Sequence, residues 1–338
     1  MNKLVIHAKI MIDGISDTPK KDQLITIEDD KITSIEDYHK TEDEVIEVNT
    51  ITPGFFNCHV HILYPVGFDS KKEFNLIEKI FYAQKHCKEY LQSGVTFIRV
   101  VGTEENYDLQ IKEAIQNDVI QGPHMYCAGK MICMTGGHGW QEGIEADGKD
   151  ACLKAVRTQL KAGVDLIKMM ATGGVMTKGV EPGNAQFTVD EMKIMVEEAH
   201  KAGRKTATHA QGLQGIKNAL YAGVDSIEHG CFLDGECLEL MKQQNTFLVP
   251  TLCAPQCIID KGVENGVAKY AVDKTLKVKD AHVESVKKAY DKGIQIALGT
   301  DAGTPFNYHN NTAYEMELLA RLNIPNMDIL KIATINSA

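Results

Sequence analysis

The sequence predicts an α/β protein whose main part is a (β/α)₈ TIM barrel, preceded by a small β-rich domain. Three observations support this prediction. Residues 1–52 alternate apolar with polar positions, residues 53–338 alternate apolar strands with helical stretches, and the turns are short at one end of these strands and long at the other. A barrel of this kind carries its active site at the C-terminal ends of its strands.

The first 52 residues indicate short strands. The stretches KLVIHAKIMID, QLITIEDDKITSIED and EVIEVNT alternate in hydrophobicity and are broken at Gly, Asp and Pro. This pattern is typical of half-exposed antiparallel strands. We therefore expect a small β-sandwich-like domain over residues 1–52 and the barrel over residues 53–338.

Eight apolar stretches after Thr52 have the length and composition of buried strands. In chain order they are FFNCHVHI, VTFIRVV, HMYCAGKMI, DLIKMMA, KTATHA, SIEHG, FLVPTL and IQIALGTDA. Helical stretches separate them, so each strand and the helix that follows form one βα unit.

The turns differ between the two ends of these units. Several helical stretches stop at a glycine, which ends a helix in the left-handed conformation; these are Gly94, Gly163, Gly203, Gly223 and Gly293. A strand begins one or two residues later, whereas the connections after strands, such as ATGGVMTKGVEPGNAQFT, are long and irregular. A doubly wound open sheet is the alternative fold, and it would leave the first and eighth strands apart.

Composition excludes several classes of function. The 338 residues include 36 Lys and Arg against 46 Asp and Glu, a formal charge of −10, so no basic face for nucleic acid or anionic lipid is expected. No apolar run approaches the roughly 18 residues of a membrane span, and no signal-peptide core is found. The nine cysteines lack zinc-finger spacing and indicate reduced, mostly buried thiols in a cytoplasmic protein.

A lysine interrupts one of the predicted buried strands. Lys168 lies in the middle of GVDLIKMMATGG, where an ammonium would lose its hydration unless it gave up its charge or found a partner. Either Lys168 extends past the edge of the sheet, or the protein has built a site around it.

Metal-binding side chains accompany Lys168 at the predicted strand ends. His59 and His61 lie two apart on the first strand, so both face the same side. His209, His229 and Asp301 end the fifth, sixth and eighth strands. Each alone has a simpler explanation, a hydrogen-bonded core histidine or, for Asp301, a helix cap. Five strands that all end in such residues indicate a metal centre, because imidazoles and carboxylates are ligands of zinc and similar ions.

Lysine fits this set after one chemical step. An ammonium cannot bind a metal, but a neutral amine reacts with carbon dioxide to form a carbamate with two oxygens. Such a group at Lys168 would bridge two cations and would remove the cost of a buried positive charge.

The complete pattern resembles the amidohydrolase superfamily, and most closely its branch of binuclear Xaa-Pro dipeptidases and imidazolonepropionase-like enzymes. The matching motifs are TPGFFNCHVHI, MTGGHG, LIKMMATGGV, QFTVDEM, ATHAQG, AGVDSIEHG, LVPTL and LGTDAGTP. The resemblance implies two divalent metals, with zinc expected, and a hydroxide between them. It assigns one metal to His59, His61 and Asp301, the other to His209 and His229, and the bridge to a carboxylated Lys168.

This resemblance implies hydrolysis of a C–N amide bond, with Asp301 as the general base and acid. We expect a small-molecule substrate, an Xaa-Pro-like dipeptide or an N-acyl amino acid. The alternative is a mononuclear imidazolonepropionase-like hydrolase of cyclic amides or a deaminase, although such relatives generally lack the bridging lysine. A non-enzymatic protein of the same fold would be expected to have lost ligands.

Three further residues are candidates for contact with the substrate. His138, in the loop after the third strand, is expected to donate a hydrogen bond to the developing oxyanion. Arg99 could pair with a substrate carboxylate, with a structural salt bridge as the alternative. Tyr308 follows Asp301 closely enough to lie near the barrel mouth.

The chain departs from the family pattern at its C-terminal end. Relatives continue past LKIATINSA with a segment that completes the small β-domain. We therefore expect residues 1–52 to form an incomplete sheet with an unprotected edge, open to proteolysis before Thr52. An unprotected edge also favours association, and a homo-oligomer is expected.

Overall fold

The computed structural model describes residues 3–67 and 72–338. Its first four strands form one sheet in the order β3-β2-β1-β4. Their bounds are β1 (Lys3–Met11), β2 (Lys20–Glu28), β3 (Lys31–Asp37) and β4 (Val45–Ile51).

One strand of this sheet differs from the prediction. β1 with β2 and β2 with β3 are antiparallel, as expected, but β4 runs parallel to β1, with Val5 opposite Val45. The antiparallel prediction was wrong for this pair because the period-two pattern identifies a strand without its direction. β2 covers one edge of β1, and the connection after β3 brings β4 to the other. The exposed side chains of Ile32 on β3 and Ile46 on β4 lie at the two edges of this sheet.

Nine further strands are found in the described residues. They are β5 (Phe55–Val60), β6 (Val95–Val100), β7 (His124–Cys127), β8 (Ile132–Cys133), β9 (Ile144–Glu145), β10 (Leu166–Met170), β11 (Lys205–Ala210), β12 (Ser226–His229) and β13 (Phe247–Val249). They form two parallel sheets, β5-β6-β7 and β13-β12-β11-β10-β8-β9.

Helices connect these strands. They are α1 (Leu76–Gln92), α2 (Tyr107–Gln116), α3 (Lys149–Ala162), α4 (Val189–Lys201), α5 (Leu213–Ala222), α6 (Gly235–Gln244), α7 (Cys253–Lys261), α8 (Lys269–Asp291), α9 (Thr312–Arg321) and α10 (Asn326–Ile332). In the part of the chain that the structure describes, none of them has the length and apolar character needed to cross a membrane.

Local sequence signals explain where several helices begin and end. Thr188 and Glu191, in the motif QFTVDEM, form a capping box that starts α4 by satisfying free backbone N–H groups. All five predicted glycine stops have positive φ values, and those after α3 and α5 are left-handed C-caps.

Two predicted strands have a different form. The third is divided into β7 and β8. The eighth, residues 294–302, makes only isolated bridges, from Ile296 to Leu248 and from Ala302 to Val60. Its backbone turns left-handed at Asp301, with φ of 59°, and such a turn cannot continue a strand ladder.

Backbone hydrogen bonds nevertheless join this segment to both parallel sheets. Cys58 N donates to Leu298 O at 2.7 Å on the β5 side, and Leu248 N donates to Gln295 O at 2.9 Å on the β13 side. Asp165 N, just before β10, donates to Cys127 O at 2.9 Å and links the sheets at β7. The observed fold is a mixed α/β structure with parallel sheets, and its largest apolar cluster packs helices α3–α10 against the second sheet and the 294–302 segment.

Candidate active site

A cavity of about 320 Å³ opens at the C-terminal ends of the parallel strands. All six residues predicted to bind metal line it, and so does His138. The six come from β5 and its end, β10, β11, β12 and the 294–302 segment. Because the carboxyl ends of parallel strands meet at one edge of their sheet, residues far apart in sequence converge here.

The donor atoms of these residues are close together. Asp301 Oδ1 lies 3.5 Å from His59 Nε2 and 3.2 Å from His61 Nε2. One donor atom each from His59, His229 and Asp301 falls within 4.8 Å of the others, and the rings of His209 and His229 are 4.5 Å apart at their centroids. The two predicted ligand sets therefore form one continuous cluster.

Each of the four histidines uses one ring nitrogen in a hydrogen bond and leaves the other available. The four contacts are His59 Nδ1 to Glu228 at 2.7 Å, His61 Nδ1 to Gly102 O at 3.2 Å, His209 Nε2 to Gly173 O at 3.0 Å, and His229 Nδ1 to Thr251 Oγ1 at 2.6 Å. Such contacts orient an imidazole and select its tautomer, and metal-binding histidines typically have them.

Burial keeps three of these imidazoles neutral. Loss of hydration is the main cause that holds the pKa values of His59, His209 and His229 well below 6.5, with neighbouring positive charge as a further cause. A metal binds the unprotonated nitrogen of a neutral imidazole, so this environment favours the binding form.

Lys168 is 2% exposed. Burial lowers its pKa to about 8, while the charges of Glu228 and Asp301 oppose this change. Across residues 3–67 and 72–338, no hydrogen bond or ion pair of its side chain is found. A buried amine with a lowered pKa and no partner has the properties that carbamate formation requires.

Three strand ends at the cavity have left-handed backbone conformations without being glycine. The φ values are 71° at His229, 55° at Thr251 and 59° at Asp301. Residues with side chains adopt this region infrequently and at a cost, and they cluster at functional sites. Here the conformation turns the His229 and Asp301 side chains away from the strand alternation and into the cavity.

The structure places His138 in the cavity wall, where its ring centroid lies 4.4 Å from that of His209. The Thr177 hydroxyl contacts His138 Nδ1 at 2.8 Å, and burial lowers the pKa of His138 to about 3. The imidazole is therefore neutral, with Nε2 free to act on a bound molecule.

Arg99 does not reach the cavity, and its predicted contact with a substrate carboxylate is corrected here. Its guanidinium donates to Glu228 at 2.7 Å, to Cys58 O at 2.6 Å and to Ser226 Oγ at 3.1 Å. This is the structural salt bridge that the sequence left as the alternative. Arg99 thus makes three hydrogen bonds inside the sheet and is not among the residues that line the cavity.

Tyr308 is also outside the cavity lining. It is half-exposed and packs beside Gly67, while Gly303, Thr304 and Pro305 of the same loop line the cavity instead. The substrate contact by Tyr308 therefore stays a prediction.

Three residues of the site were not predicted from the sequence: Glu228, which contacts His59, and Gln211 and Glu142, which line the cavity. Glu228 is completely buried, and its carboxylate connects His59 with Arg99; an acid inside the apolar strand SIEH was the available signal. Gln211 lines the cavity, and its buried side-chain oxygen has no hydrogen-bond partner among the described residues. Glu142 lines it from the loop after β8, where no pattern distinguished it.

Comparison with known proteins agrees with this geometry. The amidohydrolase family model matches residues 50–338. Ochratoxinase of Aspergillus niger is 29% identical over 372 aligned positions, which cover 98% of this chain and 75% of the relative. Its crystal structure superposes with a TM-score of 0.86 at 28% identity, covering 99% of this chain and 83% of that one.

Two solved structures are similar over the whole chain. An Xaa-Pro dipeptidase with methionine bound in its active site has a TM-score of 0.92 at 31% identity, covering 100% of this chain and 88% of its own. A prolidase complexed with N-methylphosphonate-L-proline has a TM-score of 0.89 at 25% identity, with coverages of 100% and 87%. The predicted class, a hydrolase acting on carbon–nitrogen bonds, is confirmed. The chain belongs to the amidohydrolase family.

Proposed function

We propose that this chain is a metal-dependent dipeptidase that hydrolyses Xaa-Pro or related dipeptides with an apolar residue. The observation that carries the proposal is the convergence of four histidines, one aspartate and a buried lysine in one cavity. The similarity to an Xaa-Pro dipeptidase and to a prolidase supports the dipeptide as substrate.

The side chains suit a pair of divalent cations, with zinc as our choice. His59, His61 and Asp301 would hold one ion, His209 and His229 the other, and Lys168 would contact both after carboxylation. The available ring nitrogens and the neutral state of three imidazoles support this assignment. When bound, such ions lower the pKa of water and polarise a carbonyl group.

Lys168 would supply the bridging anion. With its pKa at about 8, roughly one amine in ten is neutral at pH 7. The neutral nitrogen would attack the carbon of carbon dioxide: one N–C bond would form, one C=O π bond would become a C–O⁻ single bond, and the nitrogen would release one proton, which leaves a carbamate. Negative charge at this buried position would be compensated by the cations that the surrounding ligands hold.

Asp301 and His138 would carry the proton and orient the substrate. The Asp301 carboxylate contacts His59 and His61. It would accept a proton from the attacking water and deliver it to the leaving nitrogen. When the Thr177 hydroxyl donates to His138 Nδ1, the neutral imidazole bears its proton on Nε2. That proton can be donated to the carbonyl oxygen as negative charge develops there.

The rest of the cavity wall favours an apolar side chain. The apolar lining includes Met131, Met170 and Met176, from β10 and the connections after β7 and β10, together with Ile258 of α7 and Val278 of α8. Methionine side chains adapt to substrates of different shape. We therefore expect a range of apolar N-terminal residues to be accepted.

We infer that the two parallel sheets and the 294–302 segment belong to one closed (β/α)₈ barrel. The hydrogen bonds at Cys58, Leu248 and Asp165 support this inference. Under it, residues 1–52 are a separate small domain.

The proposal is tested with a panel of dipeptides, N-acetyl amino acids and cyclic amides, assayed after loading with zinc or manganese. We expect hydrolysis of apolar Xaa-Pro dipeptides by the unaltered chain and two metal ions per chain by elemental analysis. Lys168→Ala should lose metal and activity together, whereas Lys178→Ala, in the exposed part of the adjacent loop, should retain both. Activity confined to cyclic amides would contradict the proposal.

A further inference from the structure

The proposed chemistry gives no role to one of the carboxylates that line the cavity. Three charged residues line the cavity in the described ranges 3–67 and 72–338, namely Lys168, Asp301 and Glu142. The proposed centre uses Lys168 and Asp301. Glu142 remains, on the loop between β8 and β9.

In the part of the chain that the structure describes, the Glu142 side chain has no partner. Neither a hydrogen bond nor an ion pair of its carboxylate is found among the described residues, although most carboxylates on this chain have one. Burial raises its pKa, and the charge of His61 opposes this change. A carboxylate that loses hydration without gaining a partner costs free energy, and ligand sites are where such costs are retained.

The backbone around Glu142 fixes its position. Glu142 N donates to Gly139 O at 3.2 Å, Gly143 N donates to the same oxygen at 2.9 Å, and Ile144 N donates to Met131 O at 2.8 Å. These bonds form a tight turn next to the cavity, so the carboxylate is presented by a constrained backbone. Pre-organised polar groups of this kind confer specificity because their cost is already part of the folded state.

We propose that Glu142 binds the α-ammonium group of the substrate and thereby selects dipeptides with a free amino terminus over N-acyl amino acids. This inference rests on the proposed amide hydrolysis and separates the two substrate classes that the sequence left open. The free dipeptide compensates the carboxylate charge, whereas an N-acyl group leaves it desolvated and unpaired.

The test uses a matched pair of substrates, methionyl-proline and N-acetyl-methionyl-proline, which differ at the α-nitrogen. Glu142→Gln keeps the shape of the side chain and removes its charge. We expect this variant to lose about 10- to 100-fold in kcat/KM for the free dipeptide, and less than about 3-fold for the acetylated one. Glu113→Gln, on the exposed face of α2, is the matched control and should change neither.

The same pair is measured as ligands by calorimetry at low temperature with metal-loaded protein, so that binding is tested independently of turnover. Stronger binding of the free dipeptide, lost in Glu142→Gln, supports the inference. If Glu142→Gln binds both substrates more weakly by the same factor, or still prefers the free dipeptide as strongly as the unaltered chain does, the inference is overturned. Failure of the unaltered chain to hydrolyse either substrate would contradict the proposed function instead, while the binding preference would still decide the role of Glu142.

Discussion

Glu228 offers a direct test of how the protein orients the ligands of the candidate metal centre. Its carboxylate is completely buried and contacts His59 Nδ1 at 2.7 Å, Arg99 at 2.7 Å and Ser226 Oγ at 2.6 Å. Glu228→Gln retains the shape but replaces one acceptor oxygen with an amide donor. The Arg99 guanidinium, 16% exposed at its side chain, would then lack its counter-charge.

Two effects are expected from this substitution. Breaking a buried ion pair by removing one partner costs about 3–5 kcal/mol. Because glutamine still accepts one hydrogen bond, we expect the free energy of unfolding to fall by about 3 kcal/mol. An amide donor facing His59 Nδ1 would also drive the ring proton to Nε2, the nitrogen next to Asp301. Loss of this orientation should weaken metal binding by about 10- to 100-fold.

Denaturant unfolding of the metal-free protein measures the first effect, and titration with a zinc-sensitive dye measures the second. Ser226→Ala is the matched control, because it removes one hydrogen bond to Glu228 without changing the charge, and should cost about 1 kcal/mol. Unaltered zinc affinity together with unaltered stability in Glu228→Gln would refute the reasoning.

Three further predictions concern other parts of the structure. Lys274→Met removes a buried ammonium that donates to loop carbonyls, including Thr177 O at 2.8 Å. We expect the free energy of unfolding to fall by about 1–3 kcal/mol and a protease to cleave that loop faster. Resistance to the protease equal to that of the unaltered chain would contradict this. Burial lowers the pKa of His86 from 6.5 to about 4. The neutral ring therefore contributes about 3 kcal/mol to the free energy of unfolding. This contribution is complete above pH 6.5 and is lost as the pH falls towards 4. Acid unfolding of His86→Gln should show a shallower dependence over that range, and an unchanged slope would be evidence against it. Gly299→Ala should lower the free energy of unfolding by at least about 2 kcal/mol, because an added Cβ would lie 2.3 Å from a methyl group of Val249. Gly183→Ala is its control, because an added Cβ there would lie in open space. Identical thermal melts of the two variants would disprove the expectation.

Local patterns were sufficient to find the histidines, Asp301 and Lys168, and the structure places all of them in one cavity. Each lies at or near the end of an apolar stretch, and five helices before such stretches end at glycines with positive φ. These signals span fewer than about ten residues, a range over which periodicity and helix stops are informative.

The incorrect parts of the prediction depend on contacts between distant residues. Arg99 pairs with Glu228, which is 129 positions away, and no pattern near Arg99 distinguishes that partner from a substrate. The eighth strand is interrupted by the left-handed turn at Asp301, whose side chain lies beside His59 and His61 more than 200 positions away. The direction of β4 depends on its pairing with β1, about 40 positions away, which the local alternation of residues does not report.

The segment 294–302 is connected to its neighbours by isolated bridges rather than by a continuous ladder. Separate backbone hydrogen bonds, such as Ala297 N to Leu248 O and Asp301 N to His59 O, hold this buried segment in place, so they would have to open together before its amides exchange with deuterated solvent. Asp301 lies on this segment, whereas the histidines next to it lie on other strands. An ion held between them would be released when the segment opens, so ion occupancy and local opening would oppose each other by mass action.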